Sequence, residues 1–323
     1  MAFAFPQKIL EELTTAFTGG SKTSGDQRIQ IIGTQSRVVA ASFLSSPNFM
    51  EIHRRPQVVI VADDAAAQDL ETDILFFNPQ ARVVRLPSFD VSPYSSLYPN
   101  FRVIAERIYW LYRAQYSTGG EIFIAPIEAM MQRTLPKNFV DENTKTFKVN
   151  DEINAAFFKK LSDLGYQNSP RVEDVGQFNI KGGLIDIFSP AHPNPIRVEL
   201  FGDFVETLRF FNPETQRTLD VTDELVVLPV RETLYHENAI ENVLKNLNEK
   251  YKTGTFEKSQ KEFYYENLMQ KKFFHGIDFL LPYFYGKLET PLSYFESPID
   301  LYWLDELEVT RQADLVLETA KKD

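Results

Sequence analysis

At 323 residues the chain is long enough for two or three domains, and its 43% apolar content is ample for sizeable cores. The absence of cysteine excludes disulfides and thiolate metal sites and fits a reducing cytoplasm, where we expect the protein to be. The net charge of −11 argues against DNA binding by this chain alone, because proteins that bind duplex DNA normally carry a strong basic patch. No run approaches the roughly 20 apolar residues of a membrane span, and the four histidines show no metal-ligand spacing.

Strands alternate with helices over the first part of the chain, after an amphipathic helix near its start. Short apolar runs predict strands at 28–33, 57–62, 82–86 and 121–125. Helical patterns follow them at 36–45, 65–77, 103–114 and 127–132. This alternation predicts an α/β domain built on a doubly wound parallel sheet.

The first strand and helix lie where an ATP-binding P-loop would stand. A working P-loop needs a glycine, a lysine and a hydroxyl at fixed positions, because its amides cradle phosphate while the lysine and hydroxyl meet the terminal phosphates and magnesium. Counting from Gly33, those positions hold Val38, Val39 and Ala40. The glycine-rich segment 19–23 comes before a strand instead of after one, so it is no substitute. We therefore expect no ATP site here.

Consecutive short strands replace this alternation after a linker and helix at 143–165. They are predicted at 177–181, 184–188, 196–201 and 205–211, with glycine, proline or asparagine between them. Because side chains alternate along a strand, Arg197, Glu199 and Phe201 share one face, and the wet face also carries Lys181. Two interpretations stay open from the residues alone. The face is either a protein-binding hot spot or, as is more common, a solvated surface with Phe201 tucked under a turn.

The last third of the chain turns helical at 239–250 and then strongly aromatic. Near its end, an apolar strand-like run at 299–304 leads into Asp305 and Glu306. The helical, charged run at 308–323 has the composition of a linker, and we expect the chain to be part of a longer protein.

These residues carry a family resemblance. The run GQFNIKGGLIDIF at 176–188, followed by RVELFGD at 197–203 and Gln216-Arg217, resembles the bacterial transcription-repair coupling factor (Mfd) family. It is similar to the N-terminal module of that family, which is related to the excision-repair helicase UvrB. Matching segments at 124–126, 131–133, 276–285 and 292–295 extend the resemblance over nearly the whole chain.

The resemblance implies a split architecture. Residues 1–142 and 229–323 would form a degenerate P-loop-hydrolase-like (RecA-like) α/β domain, and residues 143–228 an inserted small α+β domain of short antiparallel strands that binds UvrA. The pair Asp305 and Glu306 stands where UvrB relatives carry a magnesium-associated acidic pair. Without a phosphate cradle or lysine, we interpret it as a vestige.

The resemblance also implies partners. Arg197 and Phe201 match family residues that contact UvrA, Lys181 stands in place of a contacting arginine, and Glu199 is expected to fix register. An exposed Arg197 head group follows from the alternation. The family's C-terminal regulatory domain masks the same surface within the full-length chain. RNA polymerase, DNA, ATP and magnesium are expected to bind only domains absent from this sequence, so we expect no cofactor here.

Two function classes follow from these observations. The first is a non-catalytic adaptor that recruits UvrA to stalled RNA polymerase and takes part in autoinhibition of the parent translocase. The alternative is an ATP-dependent DNA helicase or nuclease subunit active in its own right. The acidic pair Asp305 and Glu306 favours the alternative, whereas Val38, Val39 and Ala40 in the P-loop positions weigh against it more heavily.

Overall fold

The computed structural model describes residues 37–46, 55–89, 91, 99–235, 239–252, 258–274 and 277–322. They form two compact units. The first comprises the described residues up to Ser88, then Arg113–Gln132 and those from Leu292 onward, and the second comprises Phe89–Tyr112 and Arg133–Pro291. The predicted strand at 28–33, with Gly33, lies outside the described residues. The family-based division at residues 143 and 229 stays a prediction.

The first unit is built on a four-stranded parallel sheet in the order β12-β1-β3-β2. Its strands are β1 Gln57–Val61, β2 Arg82–Arg85, β3 Glu121–Pro126 and β12 Asp300–Trp303. Its helices are α1 Arg37–Leu44, α2 Asp64–Phe77, α4 Ile127–Met131 and α10 Glu306–Lys322. Every residue of β1 and β3 is buried, as expected for parallel strands covered on both faces. The predicted parallel α/β sheet is confirmed.

Helix α2 shows how local signals place these elements. Asp63 precedes it in extended conformation, and its side chain accepts a hydrogen bond from the Ala66 backbone N–H at 2.8 Å. Leu70 and Ile74, one turn apart, are buried in a core shared with β1 and β3. The strand and helix therefore fold together around one apolar stripe.

The second unit carries a six-stranded sheet in the order β10-β9-β8-β7-β6-β5, in which all pairs except β5-β6 are antiparallel. Its strands are β5 Gln167–Asn168, β6 Gln177–Lys181, β7 Leu184–Ile187, β8 Ile196–Phe201, β9 Phe204–Phe211 and β10 Thr218–Val221. A separate pair joins β4 Lys145–Lys148 to β11 Glu224–Val227. The predicted run of short antiparallel strands is confirmed, and β4, β5, β10 and β11 were not predicted.

Helices complete the second unit. They are α5 Lys137–Asn143, α6 Ala155–Asp163, α7 Ala239–Lys252, α8 Lys258–Met269 and α9 Leu281–Phe284, and α3 Phe101–Tyr116 contributes to both units. One core joins α6 to the apolar face of the sheet. In it Phe157 and Leu161 of α6 share a cluster with Ile185, Ile196 and Val198. The apolar face of the central sheet is thereby covered by α6.

A buried ion pair lies within the second unit. Arg107 Nε donates to Glu232 Oε1 at 2.6 Å, and their side chains are 0% and 1% exposed. Thr134 Oγ1 donates to the second carboxylate oxygen at 2.9 Å, and the Tyr285 hydroxyl donates to the Glu232 carbonyl at 2.8 Å. The carboxylate is thus held by two side chains, which compensates for its removal from water.

A histidine in the loop between β7 and β8 makes stability depend on pH. His192 Nε2 accepts the Val226 backbone N–H at 2.9 Å, and burial lowers the pKa of His192 to about 4 despite the opposing charge of Glu224. Between that value and the ordinary 6.5 the unfolded chain binds more protons. We therefore expect acidification from pH 7 to 4 to cost about 2–3 kcal/mol at this residue.

The measurement is chemical denaturation across this pH range for the unchanged chain and for His192→Gln. Glutamine keeps a hydrogen-bond acceptor but does not titrate. The variant should therefore show a flatter pH dependence, because it lacks the His192 imidazole. Parallel curves would contradict a neutral, buried His192.

Candidate protein-binding surface

One face of the six-stranded sheet carries the residues that the sequence singled out. Antiparallel register sets residues of β6, β7, β8 and β9 directly opposite one another in rows. Because directly opposed residues share a face, these rows define what we call the polar face. It consists of Asn179, Lys181, Leu184, Asp186, Arg197, Glu199, Thr207 and Arg209.

Arg197 is held by the neighbouring strand. Its Nε and Nη2 each donate to one carboxylate oxygen of Asp186 at 2.7 Å, and its guanidinium carbon lies 4.7 Å from the centre of the Phe211 ring. Hydrogen bonding to Asp186 raises the pKa of Arg197. The side chain as a whole is 25% exposed, so Arg197 is half-buried where the alternation predicted an exposed residue. The reason is that alternation within β8 does not reveal a carboxylate on β7.

Glu199 and Lys181 stand in the next row. Glu199 Oε2 accepts a hydrogen bond from the Thr207 hydroxyl at 2.9 Å, and Glu199 Oε1 lies 3.8 Å from Arg209 Nη1. Lys181 is exposed, and its Nζ donates to the Pro170 carbonyl at 3.2 Å. The polar face thus holds three cations, Lys181, Arg197 and Arg209, against two carboxylates, Asp186 and Glu199. This excess contrasts with the acidic chain as a whole.

Phe201 ends β8 on this face and is 78% exposed. It does not tuck under the Gly202–Asp203 turn.

The β6-β7 turn lies at the same end of the sheet, and there the Leu200 backbone N–H donates to the Gly183 carbonyl at 2.7 Å. A Cβ on Gly183 would lie 3.1 Å from the Leu200 carbonyl oxygen, so glycine lets the two turns approach closely.

Asp186, Arg209 and Phe204 are among the residues of this surface that the sequence analysis did not single out. Asp186 and Arg209 alternate with apolar neighbours in β7 and β9, a pattern that could have revealed them. Phe204 carries no such signal, because the predicted strand began one residue later. It is 55% exposed and pairs with Phe201.

The predicted vestiges of a nucleotide site have local structural roles. Val38, Val39 and Ala40 lie in α1, and Gly33 is outside the described residues. Asp305 has a φ of 59° and accepts the Glu308 backbone N–H at 3.3 Å, which caps the helix that Glu306 begins. Within the described part of the chain, no three His, Cys, Asp or Glu side chains come together as a metal site.

No helix among the described residues is long and apolar enough to cross a membrane.

Comparison with known proteins defines the class of this surface. Residues 146–232, which contain the entire polar face, match the UvrB interaction domain. The polar face therefore lies within a segment that is similar to this domain.

The chain is also similar to several transcription-repair coupling factors. It is 35% identical to that of Myxococcus xanthus over 56% of this chain, and 28% identical to that of Escherichia coli (strain K12) over 90%. The Staphylococcus epidermidis protein is 25% identical over 93%. These matches confirm the resemblance to the N-terminal UvrB-homology module of the transcription-repair coupling factor (Mfd) family. The chain spans 16%, 24% and 26% of the length of these three relatives.

Proposed function

We propose that the chain is a non-catalytic, UvrB-like adaptor module of a transcription-repair coupling factor. Its polar face binds the repair protein UvrA and brings it to stalled RNA polymerase in transcription-coupled nucleotide excision repair. One observation carries the proposal: within a UvrB interaction domain, Lys181, Arg197 and Glu199 share one face that ends in the exposed Phe201. Arginine and aromatic side chains are enriched in the parts of protein surfaces that partners bury.

The contacts within the polar face indicate what it offers to UvrA. The two bonds from Arg197 to Asp186 use Nε and Nη2, and no hydrogen bond among the described residues uses Nη1. Asp186 therefore fixes the guanidinium while the remaining donors stay available for a carboxylate of the partner. Lys181 adds a positive charge without a planar fork, so we expect its contact to be the weaker of the two.

The parent protein supplies the remaining activities in this proposal. It is an ATP-dependent DNA translocase, cytoplasmic, whose motor binds ATP and magnesium and whose other domains contact RNA polymerase and DNA. The parallel sheet of the first unit supports its assignment as a degenerate RecA-like domain. The C-terminal regulatory domain of the same parent chain covers the polar face in the resting state, so UvrA and that domain compete for one surface.

Titration of UvrA into this chain by calorimetry tests the proposal. We expect saturable binding that a separately produced C-terminal regulatory domain reduces by competition. If UvrA does not bind the folded chain, the adaptor function is wrong. If UvrA binds without competition, recruitment stands and the masking is wrong.

The chain is expected not to hydrolyse ATP, because Val38, Val39 and Ala40 supply neither a phosphate cradle nor a cation. Phosphate release with magnesium and ATP should equal that of a buffer blank. The second candidate function, a helicase or nuclease subunit, predicts turnover that disappears in Asp305→Ala. That outcome would contradict the proposed adaptor function. The capping of α10 by Asp305 agrees instead with a structural role for this residue.

A further inference from the structure

Two exposed aromatic residues occupy directly opposed positions at one end of the polar face. Phe201 and Phe204 are cross-strand partners that flank the tight turn between β8 and β9. They are 78% and 55% exposed. We call them the aromatic pair. Neither the family match nor the alternation within β8 assigns a role to Phe204.

An irregularity in β9 turns Phe204 toward the polar face. Glu199 pairs with Thr207, but its neighbour Leu200 pairs with Val205, so Glu206 is an extra residue in β9. Such a bulge reverses the alternation beyond it. Without it, strict alternation from Thr207 would direct Phe204 to the opposite, core-facing side. Val205 takes that side instead and is buried in the core.

The bulge thus exposes a large apolar side chain beside another that is already exposed. Leaving two phenyl rings in water is unfavourable, and aromatic side chains are enriched in the parts of protein surfaces that partners bury. We propose that Phe201 and Phe204 enter one apolar pocket of UvrA together, which makes Phe204 a further partner-binding residue. This inference rests on the proposed function of the polar face.

UvrA fits the aromatic pair better than a second copy of this chain does. The pair continues directly from Glu199 and Lys181, so whatever binds the polar face meets the rings as well. That face carries three cations against two carboxylates. Two copies meeting through it would each bring the same excess of positive charge, whereas a partner that offers a carboxylate beside an apolar pocket matches it.

The experiment titrates UvrA with Phe201→Ala, Phe204→Ala and the double variant. Phe76→Ala is the matched control, since Phe76 is 76% exposed but lies on α2 in the first unit. We expect Phe204→Ala to weaken binding by about tenfold or more and Phe76→Ala to leave it unchanged. The double variant should lose less than the product of the single losses, because both rings share one pocket. Phe204→Tyr, which keeps the ring, should largely restore affinity.

The possible outcomes distinguish a failure of this inference from a failure of the proposed function on which it rests. If Phe201→Ala or Arg197→Ala weakens binding while Phe204→Ala does not, the role inferred for Phe204 is wrong and the proposed function stands. If Arg197→Ala, Phe201→Ala and Phe204→Ala all leave UvrA binding unchanged, the binding surface itself is wrong. Sedimentation covers the remaining occupant: a dimer that Phe204→Ala abolishes, with UvrA affinity unchanged, would assign the pair to self-association.

Discussion

Replacing Arg197 or Phe201 with alanine is expected to weaken UvrA binding by about 2 kcal/mol or more, the range of interface hot spots. Arg197 offers its remaining guanidinium donors to a carboxylate, and Phe201 presents an exposed ring at the end of the same face. Calorimetric titration of UvrA with each folded variant measures the loss. Unchanged affinity in both variants would place the interface elsewhere.

The two substitutions should differ in their effect on stability. Arg197→Ala removes two hydrogen bonds to Asp186 and the contact with the Phe211 ring, so we expect a cost of about 1–2 kcal/mol in unfolding free energy. Phe201→Ala removes a mostly solvent-exposed ring and should leave the melting temperature nearly unchanged. Thermal unfolding of both variants provides this control. An equal loss of stability in both would contradict the role of Asp186 and Phe211 in holding Arg197.

Glu232→Ala is expected to destabilise the chain by about 3–5 kcal/mol, because it removes the carboxylate from a buried arginine. The Arg107 and Glu232 side chains are almost fully buried, and the carboxylate also accepts the Thr134 hydroxyl. Urea denaturation followed by circular dichroism measures the change, with the slope of the transition as a check on two-state behaviour.

Two further variants test the explanation of the Glu232→Ala loss. The double replacement Arg107→Met and Glu232→Leu should recover much of the stability, since a buried ion pair exchanged for apolar side chains of similar size costs little. The exposed pair Arg311–Glu308 supplies the matched control, and Glu308→Ala should change stability little. A loss in Glu232→Ala no larger than in Glu308→Ala would contradict the importance of the buried pair.

Sequence patterns predicted the elements whose signals are local. Apolar runs followed by helical patterns located β1 and α2 within one residue of their observed bounds. Period-two alternation put Arg197, Glu199 and Phe201 on one face, and the register confirms that they share it. Helix α8, by contrast, was missed, because its aromatic residues are not confined to one apolar stripe.

The amino-acid sequence by itself determined which face of β8 is polar, because alternation depends only on neighbouring residues of one strand. Only the tertiary structure decided which residues of the neighbouring strands lie on that face beside those of β8. The register between β7 and β8 brings Asp186 to Arg197 and leaves the Arg197 side chain only 25% exposed. The bulge at Glu206 puts Phe204 on the same face as Phe201. Both depend on hydrogen bonds between strands, and a pattern within one strand does not record which residue of the next strand lies opposite.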